Sequence, residues 1–155
     1  MIGYRRATAA DIALIHALLV ENASNDCGQI EGTRDALLRY GFGPDPLFRT
    51  VLAFDSQPLG LSLFFPEYSS WRGAVGVYVQ DLYLRPAARG RGIGRGLLAA
   101  TMQHSADWEP QFLTLMAQRK NAKAQGFYAA LGFELRFASD QLILAGEGLA
   151  ALIAR

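Results

Sequence analysis

The sequence holds a single cysteine, Cys27, and only two histidines, His16 and His104, in 155 residues. One thiol cannot close an internal disulfide, and without clustered histidines it has no company for a metal. A metal-free protein in a reducing cytoplasm is therefore the expectation. No apolar run is long enough to cross a bilayer. Met1 to Val20 is broken by Arg5, Arg6, Asp11 and His16, which a secretory leader does not tolerate. Charge of one sign is also lacking. Fifteen Lys and Arg against fourteen Asp and Glu leave a net charge of +1, whereas a nucleic-acid-binding domain is usually strongly basic. Repeats and low-complexity stretches are absent. With 51% hydrophobic and 19% charged residues, the chain suits one compact domain, 1–155, with its own core.

What is present is concentrated in Arg85 to Gly96, Arg-Pro-Ala-Ala-Arg-Gly-Arg-Gly-Ile-Gly-Arg-Gly. This segment joins a strand-like run ending Asp81-Leu82-Tyr83-Leu84 to a helix-like run. Glycines leave backbone N–H groups bare, and a helix starting there adds the positive end of its dipole, so the junction suits an anion. Arg89, Arg91 and Arg95 add charge. A Cβ at Gly92 or Gly94 would keep a phosphate off the backbone, and glycine takes the positive φ that turns successive amides inward. The phosphate loop of NTPases is excluded, since Gly94 is followed by Arg95-Gly96-Leu97 rather than Lys-Ser/Thr. The dinucleotide fingerprint fails as well, with Arg95 or Leu97 at its third glycine.

In chain order, Ile2–Arg6 is a strand candidate. Thr8 and Asp11 form a capping box for a helix carrying Ile12, Ile15, Leu18 and Leu19 to about Asn22. Asn22–Gly32 is a polar loop of the kind that borders a substrate, and Thr33 caps a second helix through Tyr40. Phe48–Phe54, Leu59–Phe65 (stopped by Pro66) and Ala74–Leu84 predict an antiparallel meander. A helix follows with Leu97, Leu98, Thr101, Met102 and Ser105 on one face. Phe112–Ala117 is the next strand, Ala122–Leu131 a helix ended by Gly132, and Gln141–Leu144 a last strand. Glu147–Arg155 is a short helix or a frayed tail. This order predicts an α/β (α+β) fold: a mixed, mostly antiparallel sheet with helices on both faces.

Arg89-x-x-Gly92-x-Gly94 after a strand resembles the pyrophosphate-binding segment of the GNAT N-acetyltransferase superfamily. Asn121, then Gly126-Phe127-Tyr128 and Leu131-Gly132-Phe133, resemble its second segment. Tyr40-Gly41-Phe42-Gly43, Tyr68-Ser69-Ser70-Trp71 and Tyr78-Val79-Gln80-Asp81-Leu82 resemble the branch that acetylates spermidine, spermine, diamines and thialysine. The resemblance covers nearly the whole chain. It implies acetyl-CoA as cosubstrate, held by Leu82, Tyr83, Leu84, Arg89, Gly90, Arg91, Gly92, Ile93, Gly94, Asn121 and Tyr128. It implies a small-molecule amine as acceptor and a homodimer; the near-neutral charge and the lack of long apolar runs add the expectation of neither nucleic acid nor membrane as partner.

The implied chemistry is attack of a primary amine on the thioester. In this fold the long strand splays from the next, freeing the amides of Leu82 and Leu84 for a developing oxyanion. Tyr128 matches the position of a general acid for the leaving thiolate. Where the branch has Glu beside Asp on this strand, the chain has Gln80 beside Asp81, and an amide accepts no proton. Where the branch has adjacent acids after the first helix, the chain has Cys27-Gly28. These losses argue against a long polycation. Gln80, Asp81 and Asp140 are the candidate substrate residues, with Glu21, Asp26, Glu31 and Glu67 as further carboxylates. Asp81 is equally open to an anchoring role, and Tyr68, Trp71 and Tyr83 to a pocket, an interface or the core. Cys27 is an idle or buried thiol, and His16 and His104 are solvent or packing residues. A GNAT domain that only senses acetyl-CoA and an RNA-binding Arg/Gly loop are the alternatives.

Overall fold

Gly3–Arg6 forms β1, and the chain leaves it through a turn tied by Asp11. The Asp11 carboxylate accepts the Thr8 amide at 2.8 Å and both ends of the Arg5 guanidinium at 2.7 Å. This cap opens a 3-10 turn, Ala9–Asp11, that runs into the helix Ile12–Asn25 (α1). α1 passes the expected stop at Asn22, since no glycine or proline interrupts it, and Ser24 Oγ folds back onto the Val20 carbonyl at 2.9 Å. Thr33 caps Arg34–Phe42 (α2) by accepting the Ala36 amide at 3.1 Å. The coordinates are a computed structural model describing residues 1–25, 28–136, 144 and 146–153. Two compact units result, Met1–Ala117 and Gln118–Arg155.

In the first unit, Arg49–Phe54 (β2), Pro58–Ser69 (β3), Ala74–Leu84 (β4) and Leu113–Leu115 (β5) complete a five-stranded sheet ordered β1-β2-β3-β4-β5. Every neighbouring pair is antiparallel except β4 and β5, which are parallel. Pro66 does not stop β3, as the sequence suggests it should. β2 reaches only Phe64 of β3, through Arg49, so beyond that point β3 has a single neighbour. The N–H that proline lacks costs no ladder bond on the open side.

Two apolar layers sandwich this sheet. Ile15 and Leu18 of α1 and Leu37 of α2 pack with Leu52, Leu61, Leu63 and Tyr83. Ser62, which alternates with Leu61 and Leu63, points the other way and accepts the Thr101 hydroxyl at 2.8 Å. Thr101 belongs to the helix Ile93–Gln103 (α3), whose Ile93, Leu97 and Leu98 are buried. The predicted helices on both faces are thus present, and a buried hydroxyl pair replaces an apolar contact at the centre of one face.

The second unit contains Ala122–Ala130 (α4) and Gly146–Ile153 (α5). Asn121 caps α4 by accepting the Ala124 amide at 3.1 Å. Gly132 follows the helix with φ 89°, as expected of a C-terminal glycine. Of the strand expected over Gln141–Leu144, only Leu144 is among the described residues, and it is not in a strand; Asp26, Cys27 and Asp140 also lie outside them. No helix among the described residues is long and apolar enough to cross a membrane.

The Arg5 guanidinium, bonded to Asp11, holds the carboxyl down at about 2, below its unfolded value of about 3.9. A lowered pKa gives stability that is present above the unfolded value and is lost as pH falls through the folded one. Asp11→Ala is expected to cost about 1 kcal/mol at neutral pH, the usual worth of a cap. In denaturant titrations the gap to wild type should close as pH falls from about 4 towards 2.

Candidate active site

β4 changes character at Gln80. Leu63 of β3 stands opposite Asp81 and Phe64 opposite Val79, so Gln80 is an extra residue in a β-bulge. Asp81 and Tyr83 consequently share the α1 face with their partners Leu63 and Leu61. Had the alternation of Val77 and Val79 continued, Asp81 would lie on the α3 face.

Pairing with β5 stops at the same place, the last pair being Val79 with Leu115. β5 is therefore only three residues long, shorter than the predicted Phe112–Ala117, because β4 offers no ladder beyond the bulge. The Arg85 amide donates to the Leu59 carbonyl of β3 at 2.9 Å. Strand alternation then turns the amides of Leu82 and Leu84 to the opposite edge, where β4 has no ladder partner among the described residues.

The Arg/Gly loop follows. Pro86–Ala88 makes a 3-10 turn, and Gly90 and Gly92 take φ 73° and 74°. Positive φ falls at these two glycines rather than at Gly94, which is a buried residue of α3. A Cβ built on Gly90 or Gly92 meets nothing within 4 Å, so the glycines serve backbone conformation and leave open space beside it. The first bond within α3 runs from the Gly96 amide to the Gly92 carbonyl at 3.2 Å. Ile93, Gly94 and Arg95 thus present first-turn amides to an incoming anion.

The loop arginines are largely committed to the protein. Arg89 Nε donates to the Leu84 carbonyl at 3.0 Å, and Arg91 lies 3.7 Å from Asp55. Arg85 Nε and Nη2 grip both oxygens of Glu21 at 3.0 and 2.7 Å, and Nη1 donates to the Pro58 carbonyl at 3.0 Å. Backbone amides form the cradle, and the side chains shape it.

On the α1 face lies a cavity of about 330 Å³ lined by Leu19, Asn22, Ala23, Ile30, Gly32, Leu37 and Asp81. Among the described residues, Asp81 is the one carboxylate in this lining. Asn22 Nδ2 donates to Asp81 Oδ1 at 3.2 Å. Burial pushes the Asp81 carboxyl above the usual carboxylate range, and the Asn22 bond only partly opposes it.

Gln80 is exposed, outside this lining. Tyr83 is buried, and its hydroxyl donates to Glu21 at 3.2 Å. Glu21 is thereby taken up by Arg85 and Tyr83, and Glu67 by the Thr114 hydroxyl. Tyr68 and Trp71 are exposed. Asn22 and the Glu21–Arg85 pair were not singled out from the sequence. The helical spacing Ile15, Leu18, Asn22 carries the first, but the second joins residues 64 apart.

In the second unit Tyr128 packs edge-on against Phe133 at 5.4 Å and tilted against Phe127 at 5.1 Å. Burial raises the phenol above its ordinary value, so at neutral pH it holds its proton.

The model of the Acetyltransferase (GNAT) family matches residues 14–133. Thialysine N-epsilon-acetyltransferase of Bos taurus is 29% identical over 83% of this chain and 81% of its own length. L-ornithine N5-acetyltransferase of Arabidopsis thaliana is 29% identical over 74% and 47%. Among solved structures, an integron cassette protein from the mobile metagenome of V. cholerae superposes with a TM-score of 0.79 at 21% identity, covering 99% of this chain and 98% of that one. An aminoglycoside acetyltransferase from a soil metagenome, complexed with sisomicin, gives 0.75 at 15% identity, over 93% and 97%. The parted β4 edge, the glycine-shaped helix start and the matched segment agree: this chain belongs to the GNAT acetyltransferase family.

Proposed function

We propose that this protein transfers the acetyl group of acetyl-CoA to the primary amine of a small molecule by direct attack on the thioester. The observation that carries this reading is the bulge at Gln80. It frees one edge of β4 and, at the next residue, turns Asp81 into a mostly apolar cavity. Acetyl-CoA fits the chain's features: open space beside Gly90 and Gly92 admits a pyrophosphate to the first-turn amides of α3.

In the proposed reaction the amine nitrogen bonds to the thioester carbon as the carbon–sulfur bond breaks. Leu82 and Leu84 amides receive the charge developing on the carbonyl oxygen. Asp81 takes the proton that an entering ammonium must lose before attack, the second proton leaves nitrogen for solvent as the amide forms, and Tyr128 gives one to the departing thiolate and regains it from solvent. Asp81 thus fills the role that Gln80 cannot. The Tyr128 assignment rests on its place in the second motif and on its retained proton.

The part of the acceptor that enters the cavity is a short aliphatic arm ending in one ammonium, because apolar walls and the one described carboxylate reward a single charge there and penalise a second. Two relatives bear names that give the epsilon nitrogen of thialysine and N5 of L-ornithine as acetylated atoms, in keeping with such a substrate. The same family resemblance supports a single acetyltransferase domain, a homodimer and a cytoplasmic location. Light scattering at assay concentration is expected to give twice the 16.9 kDa chain mass; a monomer mass would remove the dimer.

Acetyl-CoA at ~100 times its dissociation constant should add about 2.7 kcal/mol to the stability of the fold. Gly92→Val, which forces a branched residue to φ 74°, should abolish most of that gain. An unmoved melting temperature for folded wild-type protein in millimolar acetyl-CoA would refute cosubstrate binding.

Thiol release across diamines, amino acids and aminoglycosides identifies the acceptor. With it, Tyr128→Phe should lower kcat by ~10² to 10⁴ fold while leaving acetyl-CoA affinity nearly unchanged. Asp81 must be ionised to act, and its pKa is raised, so kcat/KM should climb with pH through a value above the ordinary carboxylate range. Asp81→Asn should lower the rate and flatten that limb. Coenzyme binding with no thiol release against any amine would favour a sensor.

A further inference from the structure

Glu21 and Asn22 are neighbours near the end of α1, and each holds a different part of β4. Asn22 reaches Asp81 in the amine cavity. Glu21 reaches Arg85, where β4 leaves the sheet and the glycine loop begins.

Arg85 is bound through both backbone and side chain. Its amide donates to Leu59, and its carbonyl accepts the Ala88 amide at 2.9 Å, opening the Pro86–Ala88 turn. Its guanidinium spans Glu21 on α1 and the Pro58 carbonyl at the start of β3. A forked arginine–carboxylate contact fixes the plane of both groups, which a lysine cannot reproduce. Glu21 also accepts the Tyr83 hydroxyl from within β4. Both its oxygens are occupied, so it is not a free carboxylate for an amine.

Building on the acetyltransferase reading, we infer that Glu21 is a positioning residue for acetyl-CoA, acting through Arg85 to fix where the glycine loop starts. Adjacent residues of one helix thereby serve two ligands, Glu21 the coenzyme and Asn22 the amine. A loop held in its binding geometry has less freedom to lose when the pyrophosphate arrives. Without the grip of Glu21 the loop keeps its sequence and glycine angles but loses its fixed origin.

The test uses the full chain with Glu21→Gln, Arg85→Lys, the double variant and Asn22→Ala. Calorimetry gives the Kd for coenzyme A, steady-state kinetics the separate KM values, and thermal melts the stability of the free protein. Glu21→Gln and Arg85→Lys should each weaken coenzyme A binding by roughly 10-fold, the scale of one lost side-chain restraint. The amine KM and the melting temperature should hardly move, and the double variant should be no worse than either single one. Asn22→Ala should do the reverse, raising the amine KM alone.

Additive losses in the double variant, or weakened binding that merely tracks a lower melting temperature, would make the pair structural and overturn the inference. Unchanged Kd in Glu21→Gln, with wild type binding coenzyme A normally, would overturn it while leaving the acetyltransferase reading intact. A folded wild type that binds no coenzyme A would sink both.

Discussion

From Gln80 onward β4 is hydrogen-bonded along one edge only among the described residues, and every feature of the proposed chemistry in the first unit follows from that. Polar backbone at a sheet edge normally needs a partner or water. Here the strand is held on its β3 side by pairs running to Leu84 and Gly60, so the unpaired side is anchored from behind. Such anchoring is what lets two amides act as fixed dipoles towards a developing charge, since no reorganisation is needed when the charge appears. The bulge adds a second consequence. One extra residue reverses the facing of all that follows, carrying Asp81 from the α3 side to the α1 side.

The same constraint explains the disposition of the arginines. A loop leaving a strand that lacks one neighbour has little to lean on, and Arg85, Arg89 and Arg91 each tie it to a different support: Glu21, the Leu84 carbonyl and Asp55. Their charge still raises the local potential, but their geometry is spent on the protein. In the proposed complex with acetyl-CoA, recognition of a phosphate group would then fall to backbone N–H groups, which cannot be repositioned by rotamer changes.

Much of this was legible in the sequence because it rests on local chemistry. The Thr8–Asp11 and Thr33 caps, the end of α4 at Gly132, the Ala74–Leu84 strand and the glycine loop are each encoded within a few residues. Pro66 misled because its effect depends on how far β2 reaches along β3, a tertiary fact. Positive φ fell at Gly90 and Gly92, whereas the sequence points to Gly92 and Gly94, so one of the two positions is read correctly and Gly90 is missed. The bulge itself has no local signature: Val79-Gln80-Asp81 reads as ordinary strand, and only pairing with Leu63 and Phe64 reveals the extra residue. The Glu21–Arg85 contact is unreadable for the same reason.

The exchange of a carboxylate for Gln80 looked, from the sequence, like the loss of the group that would take the amine's proton. Its position in the bulge changes the weight of that loss. Gln80 is the unpaired, exposed residue, while its neighbour is the carboxylate turned into the cavity. Of the two side chains, only Asp81 sits where burial favours a proton on its carboxyl and where apolar walls at Leu19, Ile30 and Leu37 leave it the sole described negative charge. A half-buried acid held by one amide donor keeps an oxygen for a second partner. An ammonium entering the cavity supplies the charge that desolvation makes costly to leave unpaired, and by pairing it lowers the Asp81 pKa and favours ionisation. Binding and deprotonation of the acceptor would then be successive uses of one carboxylate, which is why a second acidic residue on this strand is not required.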